Sequence, residues 1–272
     1  MTSHVIPPGY FERPAVVRVQ DYFGGGKDHY AVDRQLGRTL RAVAPWLPGS
    51  VRVNRAHGAR VLNHLSRELG IDQVIDLGCG LPHEGNRSLP DEVRRIVYVD
   101  SDPAVAAHAR VCLAERSGTA ALLADLTDLR ALLAAGEIER LDHDRPIGVL
   151  LHDVLPWLDD ESARAVVRTL HACLPQGSVL SLTHATGDLA DEGQMRLLTE
   201  VYQRAGILFR PRTGAAVQAL LGPWTPLDGR TPAATAAWRP PSAAFNPPPF
   251  LRPGSDHSHA YALLVTTGDR TT

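Results

Sequence analysis

The sequence predicts an α/β fold in which helices cover both faces of a mainly parallel sheet. From Gln73 onward, short apolar runs alternate with stretches of helical periodicity. Helix caps stand at the expected places, as in Asp102-Pro103 and at Asp159. The predicted strands are 73–77, 95–99, 120–123, 146–151, 178–183, 206–209 and 260–265, and the predicted helices are 103–116, 126–135, 160–173 and 189–204.

Residues 1–15 are predicted to form a disordered arm, and residues 16–70 an N-terminal helical cover. The cover contains a short helix that runs into Gly24-Gly25-Gly26, a helix from about Tyr30 to Val43, and another over 52–69. Consecutive glycines lose much backbone entropy on ordering, so these three form either a hinge or a loop that approaches a ligand. Asn54 and Arg55 are predicted near a helix start, where Arg55 is either a solvated charge or directed at a carboxylate.

The composition is that of a soluble globular protein: the 272 residues are 44% apolar and 21% charged. A net charge of −2 gives no reason to expect nucleic acid as a partner. No apolar run reaches the roughly 20 residues that span a membrane, and the N-terminus lacks a signal-peptide core. The three cysteines, Cys79, Cys112 and Cys173, are far apart, which favours a reducing cytoplasm over a disulfide framework.

After a core over 71–221, the last region, 222–272, is rich in proline and ends in a strand that returns to the core sheet. Proline lacks a backbone donor and blocks regular helix. We therefore expect residues 222–258 to form an extended wrapping segment or a mobile loop.

A glycine turn follows the first predicted strand, in Asp76-Leu77-Gly78-Cys79-Gly80. Glycines without Cβ atoms permit unusual backbone angles and leave room for a ligand against the main chain. Ligands of open α/β sheets bind outside the carboxyl ends of the strands. Polar residues follow the other strand ends as well, namely Asp100, Asp125-Leu126, His152-Asp153 and His184. The sequence therefore predicts a ligand site at this edge.

Two of these acids indicate a ribose and an adenine. Asp100 lies about 20 residues after the glycine turn, where a carboxylate accepts from both ribose hydroxyls. Asp125 and the amide of Leu126 are placed to meet an adenine, although capping of the next helix is the competing interpretation for Asp125. A dinucleotide site needs a third glycine, and His83 stands in its place. S-adenosylmethionine, which carries no phosphate, is therefore the favoured cofactor, and Asp76 suits its ammonium group.

Several motifs, taken together, resemble those of one known family. They are Asp21-Tyr22-Phe23-Gly24-Gly25-Gly26-Lys27-Asp28 within Arg18 to Arg34, Asn54-Arg55, Asp76 to Pro82, Tyr98 to Pro103, His108-Ala109-Arg110, Ala124-Asp125-Leu126, Arg145-Pro146, and Gly177-Ser178 with Ser181 to Thr186. The chain is similar to an actinobacterial family of S-adenosylmethionine-dependent methyltransferases, once listed as a domain of unknown function, whose hallmark is Asp-Tyr-x-x-Gly-Gly-Lys-Asp.

The resemblance implies a Rossmann-like, seven-stranded class I methyltransferase sheet with an N-terminal helical cover. It also implies that the glycine-rich segment closes over the cofactor, which favours ligand contact as the role of the three glycines. The predicted cofactor-binding residues are Tyr22, Gly26, Lys27 and Arg55, which the resemblance implies, together with Asp76, Gly78, Cys79, Gly80, Asp100, Ser101, Asp125, Leu126 and His152. Departures from the family pattern after Pro82, after His152 and in the C-terminal region concern the substrate side.

The predicted function is methyl transfer from S-adenosylmethionine to an unidentified small-molecule acceptor. Much of the catalysis comes from holding the nucleophile in line with the methyl group, and a base is needed only for a protonated nucleophile. The candidate catalytic residues are Asp153, His152 and His184, with a structural role as the competing interpretation for His184.

Several alternatives are left open. His257 and His259 are two histidines without the further ligands of a metal site, so no metal is predicted. A non-catalytic S-adenosylmethionine sensor or partner subunit is the alternative function, and a dinucleotide enzyme is a third. A homodimer is also left open.

Overall fold

A computed structural model describes residues 6–87, 89–227, 232–239 and 259–268. The predicted proline-rich segment therefore lies largely outside the described residues, as does His257. The strands are β1 Gln73–Leu77, β2 Arg95–Asp100, β3 Thr119–Leu123, β4 Gly148–His152, β5 Val179–Ala185, β6 Thr225–Pro226, β7 Ala233–Ala234 and β8 Ala260–Thr266. The helices are α1 Val16–Gly24, α2 Ala31–Val43, α3 Leu47–Asn63, α4 Glu84–Arg87, α5 Pro103–Cys112, α6 Leu129–Leu133, α7 Gly136–Glu139, α8 Asp160–Cys173, α9 Glu192–Arg204 and α10 Gly214–Leu221.

One sheet with the order β3-β2-β1-β4-β5-β8-β6 organises the described chain, and β7 also pairs with β8. The first five strands are parallel, and β8 runs antiparallel to β5. The strand order reverses between β1 and β4, where Asp76 is in register with Leu150. That reversal is the switch point at which ligands of doubly wound sheets bind. The predicted class I methyltransferase architecture is confirmed, and the described residues contribute eight strands, of which β6 and β7 have two residues each.

Apolar β-branched runs form the central strands because both faces of the sheet are covered. Every residue of β1 is buried, as are the first four residues of β4. Acidic caps begin the flanking helices: the Asp102 carboxylate accepts from two amides before α5, and Asp159 accepts from the Ser162 amide before α8. No helix in the described part of the chain is long and apolar enough to cross a membrane.

Helices α1, α2 and α3 form the cover, which lies over the carboxyl ends of the strands. A buried ion pair joins α1 to α2, with Arg18 Nε 2.9 Å from Asp33 Oδ2. The glycine turn after α1 has Gly25 at φ 79°, and the Asp21 carboxylate accepts from the Asp28 amide at 2.8 Å. This turn therefore folds back along α1.

Some elements differ from the sequence prediction. Residues 206–209 form no strand, because Phe209 packs in an aromatic cluster with Trp157 and Tyr202 instead of pairing with the sheet. The predicted helix over 126–135 is a 3₁₀ turn followed by α6. Within the predicted disordered arm, the described residues form turns, and the Tyr10 hydroxyl donates to the Asp102 carboxylate at 2.8 Å.

Helix α3 also begins earlier than predicted. Leu47 is its first residue and Pro48 occupies the first turn, where proline is well tolerated. Asn54 and Arg55 therefore lie in the middle of this helix and not at its start. They project from its length towards the switch point of the sheet.

Candidate functional site

Two adjoining cavities lie at the carboxyl ends of β1, β2 and β4. The larger cavity, which we call the groove, has a volume of about 360 Å³ and is bounded by the loops after β2 and β3 and by α1. The smaller, which we call the inner cavity, has a volume of about 80 Å³ and lies between α3 and the turn after β1. Five residues line both cavities and define their junction: Gln20, Gly78, Gly80, His152 and Asp153.

The turn after β1 requires its glycines. Gly78 has φ 73° and Gly80 has φ 66°, in the left-handed region that side chains disfavour. A Cβ on Gly78 would lie 2.5 Å from Val154 Cγ2, whereas one on Gly80 would meet only Val17 Cγ2 at 3.6 Å. Gly78 thus lets two loops pack together, and Gly80 keeps the junction between the cavities open.

The backbone fixes the Asp100 carboxylate at the edge of the groove. Its Oδ2 accepts from the Gly80 amide at 3.0 Å, and its Oδ1 accepts from the Asp102 amide at 3.0 Å. Burial raises the pKa of Asp100, while these amides act to lower that pKa. A carboxylate has about four acceptor positions, so two remain for the hydroxyls of a ribose.

The far end of the groove is formed by Ser101, Asp125 and Leu126. Asp125 is exposed, and its Oδ1 accepts from the Thr127 amide at 2.8 Å. Asp125 therefore caps the 3₁₀ turn that follows it, as the competing interpretation predicts. It uses one carboxylate oxygen, so it leaves the second for an exocyclic amino group.

The inner cavity contains charged groups that are poorly compensated. Asp76 is buried, and its pKa is raised to about 7 by burial and by the charge of Asp100; no described basic residue offsets this. Burial lowers the pKa of Arg55, and the charges of Asp21 and Asp153 oppose that shift. Asn54 Oδ1 is buried without a hydrogen-bond partner among the described residues.

These groups match the amino-acid end of S-adenosylmethionine. An ammonium group would compensate Asp76 and supply a donor to Asn54 Oδ1, and a carboxylate would compensate Arg55. The groove offers Asp100 to the ribose of the same molecule. The residues present therefore fit this cofactor.

His152 ends β4 and faces the junction. Its Nε2 lies 2.8 Å from Ser181 Oγ, and its ring centroid is 5.1 Å from that of His57. Burial, aided by the charge of Arg60, lowers the pKa of His152 to about 3. The imidazole is therefore neutral at physiological pH and able to accept a hydrogen bond.

Asp153 follows in a strained conformation, with φ 56°. Its amide donates to Thr183 Oγ1 at 2.9 Å, and its carbonyl accepts from Trp157 Nε1 at 2.6 Å. Its carboxylate accepts from Gln20 Nε2 at 2.6 Å. Burial raises the pKa of Asp153 to about 7, although Gln20 and Arg55 act to lower it. Strained residues held in this way cluster at functional sites.

His184, a predicted catalytic residue, lies outside both cavities. It is fully buried, with Nδ1 2.8 Å from the Ala185 carbonyl and Nε2 2.9 Å from Arg212 Nη1. In that arrangement Nδ1 donates and Nε2 accepts, so neither nitrogen faces a substrate. The structure favours the structural interpretation of this histidine.

Three residues of the predicted lid also line neither cavity. Tyr22 packs edge-on against His29, Lys27 is exposed, and Gly26 lies against the Asp21 carboxylate. Gly24 of the same segment lies against the Arg55 guanidinium, which lines the inner cavity. The groove is lined by a different part of α1, through Val16, Val17 and Gln20. Cys79 lines the inner cavity.

Sequence reasoning missed Gln20 and the unpartnered oxygen of Asn54. The spacing of Val16, Val17 and Gln20 places them on one helical face, and this could have indicated a shared surface. Nothing in the local pattern indicates which side of the sheet that face covers. That choice depends on how the cover docks.

Comparison with known proteins gives a consistent result. A family model described as S-adenosyl methyltransferase matches residues 10–252. A DUF574 family protein from Streptomyces avermitilis is 27% identical, with a TM-score of 0.82 over 94% of this chain and 98% of its own. A putative methyltransferase from Thermobifida fusca is 29% identical, with a TM-score of 0.82 over 97% and 99%.

A more distant structure shares the fold alone. It is the N-methyltransferase NodS from Bradyrhizobium japonicum in complex with S-adenosyl-L-homocysteine, which is 14% identical with a TM-score of 0.51 over 87% of this chain and 98% of its own. No curated protein matches the chain.

Proposed function

The chain belongs to the S-adenosyl methyltransferase family, and on that premise we propose that its S-adenosylmethionine-dependent methyl transfer acts on a small-molecule acceptor at the junction of the two cavities. The activity and the cofactor follow from the family and the fold. The acceptor class and the role of each residue are our proposal. The four-part division into arm, cover, core and C-terminal region also stays a prediction.

The observation that carries the proposal is the chemical difference between the two cavities. The groove presents Asp100, Ser101, Asp125 and Leu126 to an adenosine, and the inner cavity presents charged groups to an amino acid. A cofactor that spans both cavities crosses the junction in the middle. Bound there, it supplies a methyl group on a positively charged sulfur.

The residues of the junction would then face the acceptor. Asp153 has a pKa of about 7, so its carboxylate is able to take a proton from an N–H or O–H nucleophile near neutral pH. His152 is neutral and held by Ser181, which suits it to orient the acceptor. Because α1 covers the groove, a compact molecule reaches this point more readily than a folded macromolecule does.

Binding measurements test where the cofactor lies. We expect S-adenosylhomocysteine to bind more tightly than 5′-methylthioadenosine, which lacks the amino-acid end. Arg55→Met should lower the affinity for S-adenosylhomocysteine roughly tenfold or more and leave the affinity for 5′-methylthioadenosine nearly unchanged. Arg67→Met is the matched control, because Arg67 is exposed and pairs with Glu92 at the surface.

Other outcomes would contradict the proposal. If Arg55→Met weakens the binding of both ligands equally, the amino-acid end of the cofactor does not lie in the inner cavity. Transfer of labelled methyl groups to small molecules of a cell extract, with loss of transfer in Asp153→Asn, would support catalysis at the junction. Tight binding without transfer to any component would favour the sensor.

Three finer predictions accompany the proposal. A reducing cytoplasmic location is supported by the three cysteines, all of which are free thiols. A homodimer is predicted, and sedimentation analysis would test it. The match of the segment around Gly24-Gly25-Gly26-Lys27 to the hallmark motif of an actinobacterial family also stays a prediction.

A further inference from the structure

One hydrogen bond connects the helix that covers the groove to the sheet beneath it. Gln20 Nε2 on α1 donates to Asp153 Oδ2 after β4, with a distance of 2.6 Å. The charged side chains in this part of α1 pair within the cover, Arg18 with Asp33 and Asp21 with His29. Within the described chain, Gln20 is thus the side chain of α1 that donates to the sheet.

The acceptor of this bond is held rigidly. The Asp153 amide donates to both the carbonyl oxygen and Oγ1 of Thr183, at 3.2 and 2.9 Å. Its carbonyl accepts from the Trp157 indole, and its φ of 56° is maintained by these contacts. The backbone of Asp153 is therefore a fixed point at the end of β4, and α1 contacts the side chain that it carries.

The position of Gln20 relates this bond to the cofactor. Gln20 lines both cavities, and Ala15, Val16 and Val17 of the same segment line the groove. A cofactor that spans the two cavities passes beneath Gln20. Entry and release therefore require α1 to move and the bond between Gln20 and Asp153 to break.

We propose that Gln20 is a positioning residue of the methyl-transfer site, which closes α1 over the bound cofactor and directs the Asp153 carboxylate towards the junction. The inference rests on the proposed function, since it takes the cofactor to span both cavities. A buried carboxylate without a donor is costly. A methyl-accepting substrate that displaces Gln20 must therefore donate to the Asp153 carboxylate through an N–H or O–H group of its own.

The charged and titratable groups around Asp153 come from three elements. They are Arg55 on α3, His152 on β4 and Tyr202 on α9, and Asp21 on α1 acts in turn on Arg55. His152 is neutral at physiological pH, and burial raises the pKa of Tyr202 far above its ordinary value. Between pH 6 and 9, the charges that change around Gln20 are thus those of Asp153 and of Asp76, which lines the inner cavity and also has a pKa of about 7. The change at Asp76 is common to every variant at position 20 and cancels in a ratio of their rates.

The rate at which S-adenosylhomocysteine is released tests this role. Tryptophan fluorescence follows the release, because Trp157 lies in the wall of the groove. Gln20→Leu removes the donor, and we expect roughly ten- to hundredfold faster release at pH 8. Gln35→Leu is the control, because it makes the same change at an exposed position of α2. Circular dichroism confirms that each variant is folded.

Gln20→Glu adds a result that a purely structural role would not produce. Above the pKa values of both carboxylates, the introduced carboxylate and that of Asp153 repel, and release should be faster than in Gln20→Leu. As the pH falls, the pair shares a proton and the hydrogen bond is restored. Release should then become slower than in Gln20→Leu, so the rate in Gln20→Glu divided by that in Gln20→Leu should fall at least tenfold from pH 9 to pH 6.

The outcomes separate this inference from the proposed function. The role of Gln20 would be overturned if Gln20→Leu released S-adenosylhomocysteine at the wild-type rate. It would also be overturned if the ratio of the release rates in Gln20→Glu and Gln20→Leu did not change with pH. If wild-type protein does not bind S-adenosylhomocysteine at all, the proposed location of the cofactor fails instead.

Discussion

The contact between Gly78 and Val154 makes a quantitative prediction about the glycine turn. A Cβ on Gly78 would lie 2.5 Å from Val154 Cγ2, at a φ of 73°. A left-handed alanine costs about 1–2 kcal/mol and overpacking about 1–3 kcal/mol. Gly78→Ala should therefore lower the free energy of unfolding by about 2–5 kcal/mol in urea titrations. Gly80→Ala should lower the free energy of unfolding by about 1–2 kcal/mol, which is the backbone strain alone. Its new Cβ would meet Val17 Cγ2 at 3.6 Å, an ordinary van der Waals distance.

A double-mutant cycle isolates the steric part. Val154→Ala removes the methyl group that a Cβ on Gly78 would strike, so the two changes should couple by about 1–3 kcal/mol. Gly80→Ala with Val154→Ala should be additive within about 0.5 kcal/mol. Additive behaviour of the Gly78 pair would refute the packing argument and leave only backbone strain.

Three further predictions concern binding and stability. Gly80→Val should abolish binding of S-adenosylhomocysteine, because a branched side chain would close the junction, whereas Cys79→Ser should be nearly neutral; calorimetry measures both. Arg18→Met should lower the free energy of unfolding by about 3–5 kcal/mol, because it leaves the buried Asp33 carboxylate with two backbone donors and no counter-ion. Asp76→Asn should stabilise the protein without its cofactor by about 1–4 kcal/mol at pH 8, because a carboxyl whose pKa is raised to about 7 destabilises the fold when it is ionised. The same change should weaken the binding of the cofactor.

The sign of the pH effect follows from that pKa. A carboxyl whose folded pKa is raised contributes full stability below its ordinary value of about 4, and this contribution is lost as the pH rises through about 7. Unfolding curves of wild type and Asp76→Asn should therefore converge at low pH. Parallel curves from about pH 4 to about pH 8 would contradict the assignment, and normal binding by Gly80→Val would contradict the position of the cofactor.

Sequence reasoning located the core strands well. Strand β1 and helix α8 have the predicted bounds, because their apolar periodicity and caps are local properties. Asp100 and Asp153 reach one site because the ends of parallel strands share an edge. The docking face of α1 was not predictable in this way. The bond between the Asp28 amide and Asp21 is local, but the face that α1 presents to the groove is set by its packing against α2 and α3, which no local pattern encodes.

The unbalanced charges of the ligand-free site explain why these residues occur together. Asp76 and Asp153 each have a pKa raised to about 7 by burial, and burial also lowers the pKa of Arg55. None of these shifts stabilises the folded protein, so a requirement for stability alone would favour apolar residues here. A ligand that carries an ammonium, a carboxylate and a sulfonium compensates all three groups at once. On the proposed placement of the cofactor, the same burial that makes these charges costly also strengthens their attraction to such a ligand.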